Sequence, residues 1–151
     1  MKLLGILLIW GLAIAAIRGA RWAYVAFVVL GLLYFPAITG FRVDPKPCDL
    51  ALDAPLAVQS LSNYGHIILF FFFFLMTARQ FRSSGWSSLA WSVGLTMAMG
   101  AAVEVAEGLS GAHHCKASDL VPDLMGALLG LLVVVVAGTN GKRHAPSSRR
   151  R

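Results

Sequence analysis

Long apolar stretches without a charged residue are the feature that most constrains how this chain can fold. Five such blocks occur, at residues 3–17, 22–39, 64–78, 86–103 and 120–137. A membrane-spanning helix needs about 20 mostly apolar residues, with a range of about 17 to 25. Blocks of this length, separated by charged segments, predict an all-α, polytopic membrane helical bundle with about five transmembrane helices.

The composition agrees with a membrane protein of one domain. The chain has 151 residues, of which 58% are hydrophobic and 13% charged, whereas about 25% of the residues in a soluble domain are charged. We assign residues 1–139 to one transmembrane domain and residues 140–151 to a basic cytoplasmic tail, which we expect to be disordered. The net charge of +6 does not imply a nucleic-acid partner, because the positive residues flank the apolar blocks, where membrane topology places them.

The basic residues also predict an orientation. If the N-terminus is outside, nine of the thirteen Lys and Arg residues lie in inner segments, and all seven acidic residues lie outside or at the outer rim. Because positive residues favour the inner side, this count predicts an outside N-terminus and a cytoplasmic C-terminus. The first block has an alternative interpretation as a signal peptide, which would enter the membrane in the opposite orientation.

Two shorter patterns give local predictions. Residues 40–63 contain three prolines and three aspartates, which makes them a poor span and predicts a loop. Within this loop, Asp53 is placed to begin a short surface helix that runs to Leu61.

The third block contains five consecutive phenylalanines at residues 70–74, a pattern that favours lipid contact on most faces of the helix.

Four of the seven acidic residues lie between the fourth block and the middle of the fifth, at Glu104, Glu107, Asp119 and Asp123. Charged groups at this depth are costly, so they indicate a functional site. Glu104 and Glu107 are three residues apart and share one helix face. Asp119 is placed as the N-cap of the last helix, with Asp123 on the face below it.

Gly126 and Gly130 continue the face of Asp123 along the last helix. Such a glycine pair lets another helix pack closely, and we expect that partner to be the helix of the fourth block. This packing would bring the four carboxylates together in one outward-facing pocket.

Other polar residues at the same level suggest roles for this pocket. His66 begins the third block, and a histidine beside a carboxyl group is suited to acid/base chemistry. His113 and Lys116 supply cations that would help to bind a ligand. The alternative is that the acids only cap and pack helices. We expect no metal and no cofactor, because adjacent histidines on a loop are poor joint ligands and the chain has no HxxxH spacing.

Cys48 and Cys115 both fall outside in the predicted topology. An oxidising compartment would allow a disulfide that ties the long loop to the site loop. The alternative is that Cys115 and His114 bind a soft metal ion.

The segment from Asp119 to Gly130, DLVPDLMGALLG, resembles the signature of the VanZ-like membrane family. That signature ends one span with Glu-x-x-Gln and, after a basic residue, opens the last span with Asp-x-x-x-Asn-x-x-Gly-x-x-x-Gly. Glu104, Asp119 and both glycines match it, while Glu107 stands where glutamine is usual and Asp123 where asparagine is usual.

The basic residue and the upstream histidine of that signature match less closely. Lys116 stands in for the family's arginine at a shorter spacing than usual, and His113 is nearer the usual spacing. His66 matches the histidine of an Asp-Lys-x-x-His element, whose Asp and Lys are absent here.

The resemblance covers about residues 60 to 135, and it implies a small multi-pass protein of the bacterial inner (plasma) membrane. One branch of the family is linked to low-level resistance to the glycopeptide teicoplanin.

We consider three hypotheses for the function of this protein: a factor that binds a lipid-linked or cell-wall-related ligand, an enzyme acting on a lipid head group, and a structural subunit. In the first two, the proposed catalytic residues are Glu104, Asp119 and His66, and the proposed ligand-binding residues are Glu107, Asp123, Lys116 and His113. The expected partners are membrane lipids, and the sequence identifies no partner protein.

Overall fold

The described part of this chain is all-helical. A computed structural model describes residues 2–81, 85–111 and 115–143. Within these ranges there are six α-helices and no strand: α1 (Lys2–Ile17), α2 (Arg21–Ile38), α3 (Ala54–Ser60), α4 (Tyr64–Gln80), α5 (Trp86–Ser110) and α6 (Leu120–Arg143). A 3-10 turn at Ala117–Asp119 leads directly into α6. The predicted all-α class is confirmed.

Two of the described helices are long and apolar enough to cross a membrane. They cover Trp86–Ser110 and Ala117–Gly138. A third span is possible if α3 and α4, which meet at a bend of 76°, form one broken span. The apolar parts of α1 and α2 are shorter, at Leu7–Ile17 and Arg21–Tyr34. The described chain therefore has two to three candidate spans, consistent with a membrane protein, and the prediction of about five is not confirmed.

All five apolar blocks form helices, but two of the helices extend beyond their predicted ends. α5 continues past residue 103 to Ser110, so Glu104 and Glu107 lie within one helix, as their predicted shared face requires. α6 continues to Arg143, so helical structure runs past the predicted domain boundary at residue 139. The predicted disorder of the tail concerns mainly residues 144–151, which lie outside the described residues.

The short surface helix in the long loop is confirmed as α3. Asp53 is its N-cap, and the backbone N–H of Leu56 donates to the Asp53 carboxylate at 2.9 Å. Pro55 lies in the first turn of the helix, where a missing N–H costs little. The capping residue and the proline together explain why the helix begins here.

At the opposite end of the bundle, α4 is tied to the end of α1. α1 stops at a tight turn in which Gly19 has a φ of +93°, a conformation that favours glycine. The carbonyl oxygens at the end of α1 accept hydrogen bonds from side chains at the end of α4. Gln80 Nε2 donates to Ala16 O at 2.9 Å, and Arg79 Nε donates to Ile17 O at 3.2 Å.

α4 is a central helix, and the prediction that its phenylalanines mostly face lipid is wrong. Phe70, Phe73 and Phe74 are buried, whereas Phe72 is exposed. The reason is that α4 packs against α1, α2, α5 and α6, so most of its circumference contacts protein.

The glycine pair of α6 packs closely against a neighbouring helix, as predicted, but the partner is α4 rather than α5. A Cβ atom added to Gly126 would meet the Ile67 carbonyl oxygen and would lie 2.8 Å from the Phe71 nitrogen. A Cβ atom on Gly130 would lie 2.6 Å from the Phe74 ring. Only residues without a side chain allow the two backbones to approach this closely.

We predict that Gly126→Ala destabilises the protein by about 1–3 kcal/mol, because its methyl group collides with the α4 backbone. The matched control is Gly94→Ala in α5, where an added Cβ atom meets nothing within 4 Å. Thermal unfolding of both variants in detergent measures the difference. Equal melting temperatures for the two variants would contradict the packing described.

Candidate functional site

The long loop after α2 folds over the C-terminal end of α5. The backbone N–H of Asp44 donates to Leu109 O at 3.1 Å, and that of Lys46 donates to Gly108 O at 3.0 Å. The Lys46 ammonium donates to Gly111 O at 3.2 Å. Because the last carbonyl groups of a helix have no partner inside the helix, the loop supplies the donors that α5 lacks at its end.

A disulfide joins the same loop to the segment before α6. Cys48 and Cys115 are bonded, with their Cα atoms 4.6 Å apart and a sequence separation of 67 residues. Two backbone hydrogen bonds lie beside it: Asp49 N–H donates to Cys115 O, and Ala117 N–H donates to Asp49 O, both at 2.9 Å. Of the two alternatives for Cys115, the disulfide is the one that the structure contains.

Glu104 is buried in α5 and reaches the start of the last helix. Its Oε2 atom accepts a hydrogen bond from the backbone N–H of Lys116 at 2.8 Å. Lys116 occupies the N-cap position of the 3-10 turn, and Asp119 is the last residue of that turn. Asp119 directly precedes α6, as expected of an N-cap, but it belongs to the 3-10 turn, so the helical path begins before it. The helical path begins earlier because Ala117 is already fixed by its hydrogen bond to Asp49.

His66 and Asp123 form a pair between α4 and α6. His66 Nδ1 and Asp123 Oδ1 are hydrogen-bonded at 2.8 Å, and the Asp123 side chain is only 1% exposed. The second carboxylate oxygen of Asp123 lies against α5, since a Cβ atom on Gly100 would be 2.5 Å from it. Gly100 thus allows α6 to approach α5 closely, because a side chain at this position would collide with Asp123.

The predicted meeting of acidic groups from two helices is present. Glu104 lies close enough to Glu107, Asp119 and Asp123 for their charges to interact. His66 lies within electrostatic reach of Glu104 and Asp119 as well as Asp123. These residues therefore share one end of the bundle.

Of the two predicted ligand-binding cations, Lys116 and His113, the structure describes only Lys116. The Lys116 side chain is exposed, and the contact of this residue with Glu104 runs through its backbone N–H rather than through its ammonium group. His113 and His114 lie outside the described residues. No group of three or more His, Cys, Asp or Glu residues among those described is placed to hold a metal ion.

An apolar cavity of about 300 Å³ lies beside these polar residues. Its lining comes from α1, α2, α4 and α5, and it includes the polar side chains of Tyr34, His66 and Glu107. Glu104 and Asp119, which we expected in the same pocket as His66, are not among the lining residues. The contribution of α1 and α2 could not be predicted, because apolar residues there have the same pattern whether they face lipid or a cavity.

No protein-family model, curated protein or solved structure matches this chain. The resemblance to the VanZ-like family therefore stays a prediction.

The His66–Asp123 pair occupies one ring nitrogen of the histidine, Nδ1. The second ring nitrogen, Nε2, can form a hydrogen bond with another group. His66 and Glu107 thus add polar groups to a mostly apolar lining, which is the usual composition of a ligand pocket.

We predict that loss of the disulfide destabilises the protein by about 2–5 kcal/mol, the usual cost for a native bridge. The variants are Cys48→Ser with Cys115→Ser, and the measurement is thermal unfolding in detergent with and without reductant. Reductant should lower the melting temperature of the unaltered protein and leave that of the double variant unchanged. Two free thiols in the unaltered, oxidised protein would contradict the bridge.

We predict different effects for two substitutions of Glu104. Glu104→Gln keeps an oxygen that can accept from the Lys116 N–H and should retain most of the stability. Glu104→Leu leaves that donor unpaired and should cost about 1–3 kcal/mol. Chemical or thermal unfolding compares the two variants, and equal stabilities would show that the hydrogen bond does not support the start of α6.

Proposed function

We propose that this protein is an integral membrane protein of the bacterial cell envelope that binds a lipid-linked or cell-wall-related ligand at the outer face of the inner membrane. The observation that carries this proposal is the apolar cavity with His66 and Glu107 in its lining. Ligand sites are typically concave and mostly apolar, with a few polar groups that orient the ligand. An amphipathic ligand matches both parts of this lining.

We also propose that α1, α2, α4, α5 and α6 all cross the membrane, with the N-terminus outside. The distribution of basic residues supports this orientation. The disulfide supports it independently, because structural disulfides persist in oxidising compartments and Cys48–Cys115 lies at the same end of the bundle as the acidic residues. α1 has 16 residues and would extend about 24 Å at 1.5 Å per residue, so flanking residues would complete its span.

The VanZ-like resemblance supports a role in the envelope. The residues that carry it are distant in sequence, yet His66, Glu104, Asp119 and Asp123 come together at one end of the bundle. This clustering is what a shared functional element would require. On this basis we propose that the ligand belongs to cell-wall metabolism and that the protein affects sensitivity to teicoplanin.

An enzymatic role on a lipid head group is the second candidate. The 2.8 Å hydrogen bond between His66 and Asp123 favours it, because a carboxylate that orients a histidine is a common arrangement for general base catalysis. In this version His66 acts as the base through Nε2, and a neighbouring carboxyl group such as Glu104 acts as the acid.

A structural role is the third candidate. The hydrogen bond from the Lys116 N–H to Glu104 favours it, since this carboxylate already has a partner that stabilises the start of a helix. The structural role predicts that substitutions which preserve packing and hydrogen bonding are tolerated, whereas the other two candidates predict loss of function without loss of folding.

The test is a host strain that lacks the gene and is complemented with variants, followed by measurement of teicoplanin sensitivity. We expect Glu104→Gln, Asp119→Asn and His66→Gln to lose activity while the protein remains in the membrane fraction at normal abundance. Leu132→Ala on α6, whose side chain is exposed, is the control and should retain activity. Unaltered sensitivity in all three site variants would leave the structural role. A chemically altered lipid that disappears with His66→Gln would favour the enzyme over the binding protein.

A further inference from the structure

We propose that the cavity holds one hydrocarbon chain of a membrane amphiphile and that its polar end selects a head group carrying a primary amine. This inference rests on the proposed function and narrows the ligand class. An amine-bearing amphiphile is the single occupant to which the proposal commits. Three observations support the proposal: the shape of the cavity, the position of its opening, and the charges at its polar end.

The lining residues differ along the helices. Tyr34, His66 and Glu107 lie near the helix ends at the polar end of the bundle, whereas Leu12, Phe27, Phe73 and Met99 lie further from those ends. Along α4, the seven-residue step from His66 to Phe73 corresponds to about 10 Å at 1.5 Å per residue. A narrow apolar space of this depth with polar groups at one end matches an amphiphile inserted chain first.

The opening of the cavity faces the apolar exterior of the bundle. Four of the lining side chains are themselves exposed, one on α1, two on α2 and one on α4: Ile9, Leu30, Tyr34 and Leu69. In a membrane these exposed apolar faces contact lipid chains. A ligand chain can therefore enter sideways from the bilayer without crossing the polar loop that covers α5.

The volume limits how much hydrocarbon the cavity admits. At about 300 Å³, it lies at the lower end of the range for ligand pockets, which extends from about 300 to 1,000 Å³. Gly31 contributes to this volume, because a Cβ atom there would lie 3.0 Å from the terminal methyl group of Met99. A space of this size admits one chain rather than a pair.

The charges at the polar end favour a cationic head group. Glu107 lines the cavity, and its charge lies within reach of Glu104, which also interacts with Asp119 and Asp123. Among the described residues at this end, His66 is engaged by Asp123, the Lys46 ammonium donates to Gly111 O, and the Lys116 side chain is exposed at the surface. Carboxylates therefore outnumber cations here, and a negative potential attracts an amine and disfavours an additional phosphate or carboxylate.

The experiment uses the purified full-length protein in detergent with two single-chain lipids of the same chain length. Lysophosphatidylethanolamine carries a primary amine, and lysophosphatidylglycerol carries the same phosphate without an amine. Native mass spectrometry of an equimolar mixture measures which lipid remains bound. We expect a preference of about tenfold for the amine-bearing lipid, the effect of one close charge pair at a partly buried site.

Four variants assign this preference to the cavity. Glu107→Gln should retain binding but lose most of the preference for the amine. Val103→Trp should fill the cavity and reduce binding of both lipids, and Leu69→Trp at the exposed opening should do the same without disturbing the core. Leu132→Trp is the matched control, because this residue is exposed on α6 and does not line the cavity, and it should bind as the unaltered protein does.

The outcomes separate this inference from the proposed function. Equal or stronger binding of the phosphatidylglycerol lipid, reduced by Val103→Trp and Leu69→Trp, would overturn the choice of head group and leave the proposed lipid-binding function in place. Binding that is the same in the two cavity variants and in Leu132→Trp would overturn both, because the lipid would then occupy another surface.

Discussion

The close approach of α4 and α6 is the interaction on which the rest of the structure depends. Gly126 and Gly130 let the backbone of α6 lie against that of α4. This contact sets the distance at which His66 can reach Asp123, one turn before Gly126 in the same helix. Backbone packing and polar pairing therefore support each other: the glycines remove the steric barrier, and the pair compensates for burying a carboxylate that is 1% exposed.

The acidic residues at this end have different environments despite their similar positions. Glu104 accepts from a backbone N–H and stabilises the start of the last helix, while Asp123 is held between a histidine and a glycine. Glu107 lines the cavity, as does His66. A common location thus does not imply a common environment: Glu104 has a backbone partner at the start of α6, whereas His66 and Glu107 lie at the cavity.

How much of this could be predicted from sequence depends on the kind of interaction. Apolar blocks and the cap at Asp53 are local signals, and they located the helices well. The expectation that Glu104 and Asp123 would lie near each other is met, although it was based on packing of Gly126 and Gly130 against the wrong helix. The partner of Gly126 was predicted wrongly, because glycine spacing defines a face but does not specify which helix will occupy it. The burial of the phenylalanines was missed for a related reason: in a membrane protein, lipid-facing and core-facing residues are both apolar. The cavity depends on four helices together, and no local pattern encodes it.

The disulfide has a consequence for how the bundle can move. By joining Cys48 to Cys115, it closes a covalent ring that contains α3, α4 and α5, while α1 and α2 stay outside that ring. The cavity is lined from both sides of this division. The hydrogen bonds from Gln80 and Arg79 hold the two parts together at the end of the bundle away from His66. At the other end, the loop that follows α2 is bound to the end of α5 through the backbone N–H groups of Asp44 and Lys46. The α1–α2 hairpin is therefore attached to the disulfide-closed ring at both ends of the bundle.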